Sequence, residues 1–173
     1  DTSSRRNNHV YWAAWAVGIT GVVLQHDDYF QWAMDKAKVG LIQIESDGTL
    51  PLEVRRAKRA QLYHLFATIP LVMLGELGRA NGVDLYGYND GALHRLVKLD
   101  VMEIYHPDYI VHRAGVKQDL PDENMPLLLS WIEAYNRRFE FGNADLRQDV
   151  AKLRKQYSPF FNRRIGGDAS LLY

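Results

Sequence analysis

The stretch Glu53–Arg79, EVRRAKRAQLYHLFATIPLVMLGELGR, decides how this chain folds. Leu62, Phe66, Ile69, Met73 and Leu77 recur at spacings of three and four, which puts them in one stripe along a helix. The reading is a single long helix from about Glu53 to Arg79, kinked at Pro70, whose ring removes a backbone donor and crowds the preceding turn. Asn81-Gly82 closes it, because glycine readily takes the left-handed conformation that ends a helix.

Working outward, Asn8–Gln25 carries Val10, Trp12, Ala13, Trp15, Val17, Ile19, Val22 and Leu24. These are apolar nearly all round, the pattern of a helix buried on most sides. Asn8 is read as its N-cap. Asp27 and Asp28 open a second helix with Tyr29, Phe30, Trp32, Ala33, Ala37, Leu41 and Ile44 as its apolar positions, and Asp47-Gly48 ends it in a turn. Further helices are predicted over Asp90–Tyr105, Pro107–Ala114, Met125–Phe139 and Asn143–Tyr157. Asp1–Asn7 reads as a loop, and the tail Ser158–Tyr173 has no helical period. No segment alternates strongly, so the fold class is all-α. The helices share no repeat of fixed length, which favours antiparallel helix pairs over a solenoid array.

The 173 residues suit one domain, and 47% hydrophobic with 12% aromatic residues is enough to build a core. Lys plus Arg and Asp plus Glu both number 21, and a neutral total argues against a general nucleic-acid binder. A local basic cleft for an anionic ligand stays open. The absence of cysteine excludes disulfides and thiolate metal sites but leaves the redox compartment open. No run of 18 apolar residues is present, so no membrane partner is expected. Asp1 is not a native start, so residues upstream are taken to have been removed.

Three groups carry the chemistry: Asn8-His9, Arg56 with Arg59, and Tyr63. On a continuous helix with Arg56 at zero, Arg59 falls near −60° and Tyr63 near −20° at about 100° per residue. Two guanidinium groups and a phenol would then share one face. A solvated surface helix with a half-buried tyrosine shows the same residues. His106, Asp108 and His112 do not lie on one helical face and Pro107 intervenes, so no metal site is expected. Gly166-Gly167-Asp168 reads as a turn, and Arg147, Lys152, Arg154 and Lys155 as a solvated face. Trp15 and Trp32 read as core packing, while Trp12 fits a core position or a sugar-stacking one equally.

Asn7-Asn8-His9, Tyr11-Trp12-Ala13-Ala14-Trp15 resembles the signature of the alginate lyases of polysaccharide lyase family five. The family's next segment, Gly-x-Leu-Pro-x-Glu-x-x-Arg followed by Arg and Tyr-His, is matched by Gly48, Leu50, Pro51, Glu53, Arg56, Arg59 and Tyr63-His64. Trp131-Ile132-Glu133, Pro159-Phe160 and Arg164-Ile165-Gly166-Gly167-Asp168 are similar to its later segments. One departure stands out. After Tyr63-His64 the family often carries Asn and a double proline, where this chain has Leu65, Phe66 and only Pro70.

The resemblance implies an incomplete toroid of antiparallel helix pairs, with residues 1–173 as its C-terminal portion and the N-terminal half absent from this sequence. It implies an anionic polysaccharide as partner, a 4-linked polyuronate such as alginate, cut by β-elimination without a cofactor. Asn8, His9, Arg56 and Tyr63 take the catalytic positions, and Trp12, Arg59, His64 and Arg164 the substrate-binding ones. A different or broader polyuronate range, or a catalytically silent binding protein, are the competing readings. The periplasm or secretion follows from the resemblance alone. If half of the toroid lies elsewhere, Trp15, Val22, Leu62 and Phe66 should not be fully buried by these residues alone.

Overall fold

Asn7, not Asn8, starts the first helix: its side chain accepts from the His9 backbone N–H, with the chain extended at φ −112°. Asn8 is already inside the helix. α1 (Asn8–Val23) and α2 (Asp27–Ile42) are joined by a three-residue turn and pack against one another as a hairpin. The computed structural model describes residues 6–139 and 144–172, so most of the expected N-terminal loop, the start of the Asn143–Tyr157 helix and Tyr173 lie outside the described residues.

Besides Val10, α1 is buried along one stripe, at Asn8, Tyr11, Ala14, Gly18 and Gly21, stepping by three and four. The expectation of burial on most sides is therefore corrected. Ile19, Val23 and Leu24 are exposed, and Trp15 and Val22 are half-buried. From Ala14 onward the buried stripe is made of small residues, which lets α2 approach closely. A Cβ on Gly18 would lie 2.9 Å from the Ala33 Cβ, and one on Gly21 would lie 2.6 Å from the Phe30 backbone nitrogen.

The long central helix is shorter than its pattern suggests. α3 (Pro51–Val54) and a 3₁₀ turn (Ala57–Arg59) precede α4 (Ala60–Ala80). The break falls at Ala57, whose φ of +53° is left-handed and cannot continue a helix. Tertiary bonds override the local pattern here. The Ala57 and Lys58 carbonyls accept from Gln118 Nε2 and the Asp119 N–H, at 3.2 and 2.7 Å. The Gln61 N–H donates to Gln118 Oε1 at 3.0 Å. Backbone groups that a continuous helix would pair internally are thus served by a distant loop.

From Ala67 to Gly78 α4 is buried on nearly every side, with Pro70 inside it. The Ala57–Ala80 segment is apolar and long enough to cross a membrane by composition, contrary to the expectation from apolar runs, but 78% of its apolar window is buried inside this fold. It is the core helix. α1, α2 and α5 (Tyr88–Tyr105) pack around it. Asn89, Asp90 and Gly91 at the start of α5 are left-handed, and Arg95 binds the Asp90 and Asn89 carbonyls at 2.6 and 3.3 Å.

α6 (Asp108–Ala114) agrees with the sequence reading, whereas the Met125–Phe139 segment is two short helices, α7 (Met125–Leu128) and α8 (Ile132–Asn136). Trp131 between them is fully buried. After α9 (Ala144–Tyr157), the tail forms a minimal hairpin in which β1 (Phe161–Asn162) pairs antiparallel with β2 (Gly167–Asp168), and α10 (Ala169–Leu172) follows. Gly166 and Gly167, both at φ near +110°, make the expected turn.

The close α1–α2 approach can be tested at Gly21. Alanine adds helix propensity of about 1 kcal/mol, but its Cβ meets backbone that cannot rotate away. Gly21→Ala is expected to destabilise by about 1–3 kcal/mol net. Urea unfolding should show a lower midpoint at an unchanged slope.

Candidate active site

The first turn of α1 exposes backbone donors that need acceptors. Asn7 takes the His9 N–H through its side chain at 3.1 Å and the Val10 N–H through its carbonyl at 3.0 Å. The Asn8 N–H goes to Glu53 Oε1 at 2.8 Å, and Asn8 Nδ2 to Glu53 Oε2 at 2.9 Å. Glu53 is 1% exposed and sits in the first turn of α3. A carboxylate at a helix N-terminus is favoured by the helix dipole as well as by the hydrogen bonds. The same carboxylate pairs with Arg56 Nε at 3.5 Å.

Arg56 is half-buried, and its guanidinium lies 4.7 Å from the centre of the Tyr63 ring. Asn8, Glu53, Arg56 and Tyr63 therefore form one continuous chain of contacts. Arg56 and Tyr63 do meet, as the helical wheel implied, but across the break at Ala57 rather than along one helix. Arg59 ends the 3₁₀ turn, is exposed, and makes no ion pair among the described residues. His9 is exposed beside Asn8.

A second cluster lies next to the first. Trp12 is one turn beyond Asn8 on α1, and Phe66 is one turn beyond Tyr63 on α4. Their ring centroids are 5.1 Å apart. The Arg164 guanidinium stands over both, 5.8 Å from Trp12 and 5.6 Å from Phe66. Trp15 Nε1 donates to the Arg164 carbonyl at 3.0 Å, and Asn162 Oδ1 accepts from the Arg164 N–H at 3.0 Å. Asn162 is buried and donates to Ser130 Oγ at 3.0 Å. The tail hairpin thus holds Arg164 against the aromatic pair, and cation–π attraction orients its side chain.

The expectation that His64 contacts substrate is corrected. His64 is fully buried, its Nε2 accepts from the Leu50 N–H at 2.8 Å, and its Nδ1 meets Asp100 Oδ1 at 2.9 Å. Facing about 100° away from Tyr63 on a helix, it points into the core. Trp15 is half-buried and packs against the edge of the core, whereas Trp32 is 39% exposed with the Lys36 ammonium 5.5 Å from its ring centre and is not a core residue. Glu53, which ties the site together, was legible only as a motif position. Its signal was an acid three residues before Arg56, following a proline that starts a helix.

His106, Asp108 and His112 are exposed. Among the described residues, His64, Asp100 and Glu103 are the group whose ligand atoms cluster, within 4.8 Å. Burial and then the Glu53 charge push the Tyr11 phenol above its ordinary value, so it is a neutral donor, to the Arg6 carbonyl at 3.0 Å. A cavity of about 410 Å³ lined by Asp47, Arg95, Lys98 and Tyr109 shares no residue with either cluster. The guanidinium and phenol are half-exposed, with the buried Asn8 amide behind them on Glu53, chemistry suited to an anionic ligand with exchangeable protons.

The family model described as "Alginate lyase" matches residues 1–107. An alginate lyase from Cobetia marina is 37% identical over 169 residues, covering 98% of this chain and 44% of that protein. One from Azotobacter vinelandii is 39% identical over 170 residues, with the same coverage. A histidine-to-alanine variant of alginate lyase A1-III complexed with a tetrasaccharide superposes with a TM-score of 0.84 at 30% identity, over 99% of this chain and 47% of that one. Alginate lyase A1-III from Sphingomonas species A1 gives a TM-score of 0.83, also at 30% identity. The chain spans less than half the length of these relatives.

Glu53→Ala leaves two Asn8 donors without acceptors. It is expected to destabilise by about 1–3 kcal/mol for each buried group left unpaired. Glu53→Gln is not a rescue, because its amide nitrogen presents a donor to one of two donors. Chemical unfolding of both variants should place them together, well below the parent protein.

Proposed function

The chain belongs to the alginate lyase family, and on that premise we propose that it supplies the catalytic wall of a lyase that cleaves 4-linked polyuronates, alginate foremost, by β-elimination. The observation that carries this reading is the contact chain Asn8–Glu53–Arg56–Tyr63.

Elimination takes the proton on C5 of a uronate and expels the glycosidic oxygen on C4. The C5 proton lies beside a carboxylate and is a very weak acid, so the carboxylate must first be neutralised. Asn8 and Arg56 do this by charge-assisted hydrogen bonds, which strengthen as charge develops in the enolate-like transition state. Glu53 fixes the orientation of both. Tyr63 protonates the departing oxygen, and either Tyr63 or His9 takes the C5 proton.

Trp12 and Phe66 with Arg164 form a second subsite, an aromatic floor with a cation above it. Phe66 stands at the departure from the usual family sequence and favours a wider polyuronate range as the second reading. The proposal includes a preceding segment that supplies the facing wall. It is supported by the exposed apolar face of α1 at Ile19, Val23 and Leu24, by the half-exposed Trp15, Val22, Leu62 and Phe66, and by the greater length of the relatives. The site of action is proposed to be the periplasm or the exterior, where such polymers are met.

The test is incubation of the full-length protein with alginate and other polyuronates, following the ultraviolet absorbance of the unsaturated product. Absence of product from every polymer would leave a binding protein. Tyr63→Phe is expected to lower kcat by about 10²–10⁴-fold while substrate binding stays within severalfold, because the phenol acts only in proton transfer. Retention of a third of the parent rate removes Tyr63 from the mechanism. Arg56→Lys keeps the charge but loses the planar fork and its face on Tyr63. It is expected to lower kcat on every polyuronate that the parent cleaves. A normal rate would reduce Arg56 to part of the general field.

A further inference from the structure

Behind Tyr63 lies a buried polar group for which the reaction outlined above has no use. His64, Asp100 and Glu103 are all 0% exposed. Leu50 is the residue before α3, and its N–H donates to His64 Nε2, so that nitrogen carries the lone pair and Nδ1 carries the hydrogen. Nδ1–H then donates to Asp100 Oδ1 at 2.9 Å. Asp100 Oδ2 and both Glu103 carboxyl oxygens are buried and have no hydrogen-bond partner, although the group lies within 4.8 Å.

Two ionised carboxylates side by side in a dry core, without a cation, are prohibitively costly. Among the described residues the ionisable groups facing Glu103 are Asp100 on the same helix and His64 on α4, and His64 is neutral by its bonding. A metal ion fits poorly, because both ring nitrogens of His64 are already committed. A proton fits well. It turns one Glu103 oxygen into a donor and supplies Asp100 Oδ2 with the hydrogen it lacks.

We propose that Glu103 is protonated and donates to Asp100, so that Glu103, Asp100 and His64 form a hydrogen-bonded relay ending on the Leu50 N–H. The relay fixes the start of α3, and α3 carries Glu53, which holds Asn8 and Arg56. Asp100 and Glu103 are therefore positioning residues for the site. Burial first, and then the Asp100 charge, hold the Glu103 carboxyl well above the ordinary carboxylate range. A carboxyl raised in the fold stabilises fully below its unfolded value of about 4.3. That contribution is lost as pH rises toward the value in the fold.

The effect on turnover rests on the lyase reading, whereas the proton itself does not. In the full-length protein at neutral pH, infrared difference spectra between parent and Glu103→Gln should show the loss of a carboxylic acid C=O band. The Tm of Glu103→Gln relative to the parent should rise as pH increases above about 4.3, because the neutral amide has no proton to lose. Glu103→Gln should keep kcat within about twofold, while Glu103→Ala, which lets α3 shift, should lower it by about tenfold or more with KM changed less. An unchanged carboxylic band together with parallel Tm–pH curves overturns the proposal. So does a stoichiometric metal ion that is removed by chelator and missing from Glu103→Gln. If no variant and no parent protein cleaves any polyuronate but the band and the pH slope behave as stated, the lyase reading fails and the relay stands.

Discussion

A buried carboxylate cannot stay ionised in a protein interior without donors around it. Glu53 meets that constraint by accepting from the backbone and the side chain of Asn8 and by pairing with Arg56. The cost of its burial is offset at the N-terminus of α1, where unpaired N–H groups and the helix dipole favour negative charge. As a result three elements meet at one point. α1 brings Asn8 and His9, α3 brings Glu53, and the bend after α3 brings Arg56 back over Tyr63 on α4. Removing the carboxylate from this arrangement would separate the groups that define the site.

The second cluster depends on packing rather than on charge. The small residues Ala14, Gly18 and Gly21 bring α1 close to α2 and α4, where Trp12 meets Phe66. The tail then crosses to this surface, and its hairpin sets Arg164 above both rings. Because Asn8 and Trp12 are one turn apart on α1, and Tyr63 and Phe66 one turn apart on α4, the two clusters lie along the same seam. A ligand following that seam would meet the Arg56–Tyr63 pair and then the Trp12–Phe66 pair in succession.

Much of the helical order was legible in the chain. The stripe from Leu62 to Leu77 lies within α4, Asp27 and Asp28 open α2, and Gly82 at φ +80° closes α4. The errors have a common cause. The helix expected from Glu53 begins at Ala60 because Gln118 and Asp119 take the backbone groups near Ala57. Asn8 looked like a cap, but Asn7 caps and Asn8 is held by Glu53. His64 stands at an expected substrate-binding position, yet its ring is locked inward between Leu50 and Asp100. In each case a partner distant in sequence decided the outcome.

The sequence by itself determined the helical class, the approximate limits of the longer helices, and the identity of Asn8, His9, Arg56 and Tyr63 as candidates, the last through resemblance to a known family. Spacing within a helix follows from its 3.6-residue period, so apolar stripes can be read from one chain. Only the tertiary structure decided which apolar faces are covered, that Arg56 reaches Tyr63 through a break, and that Glu53 and the His64–Asp100–Glu103 group stand behind the site. A hydrogen bond between residues 45 positions apart, such as that from Asn8 to Glu53, leaves no periodic trace in either segment. Its existence depends on how helices pack, and packing is a property of surfaces that meet only once the chain has folded.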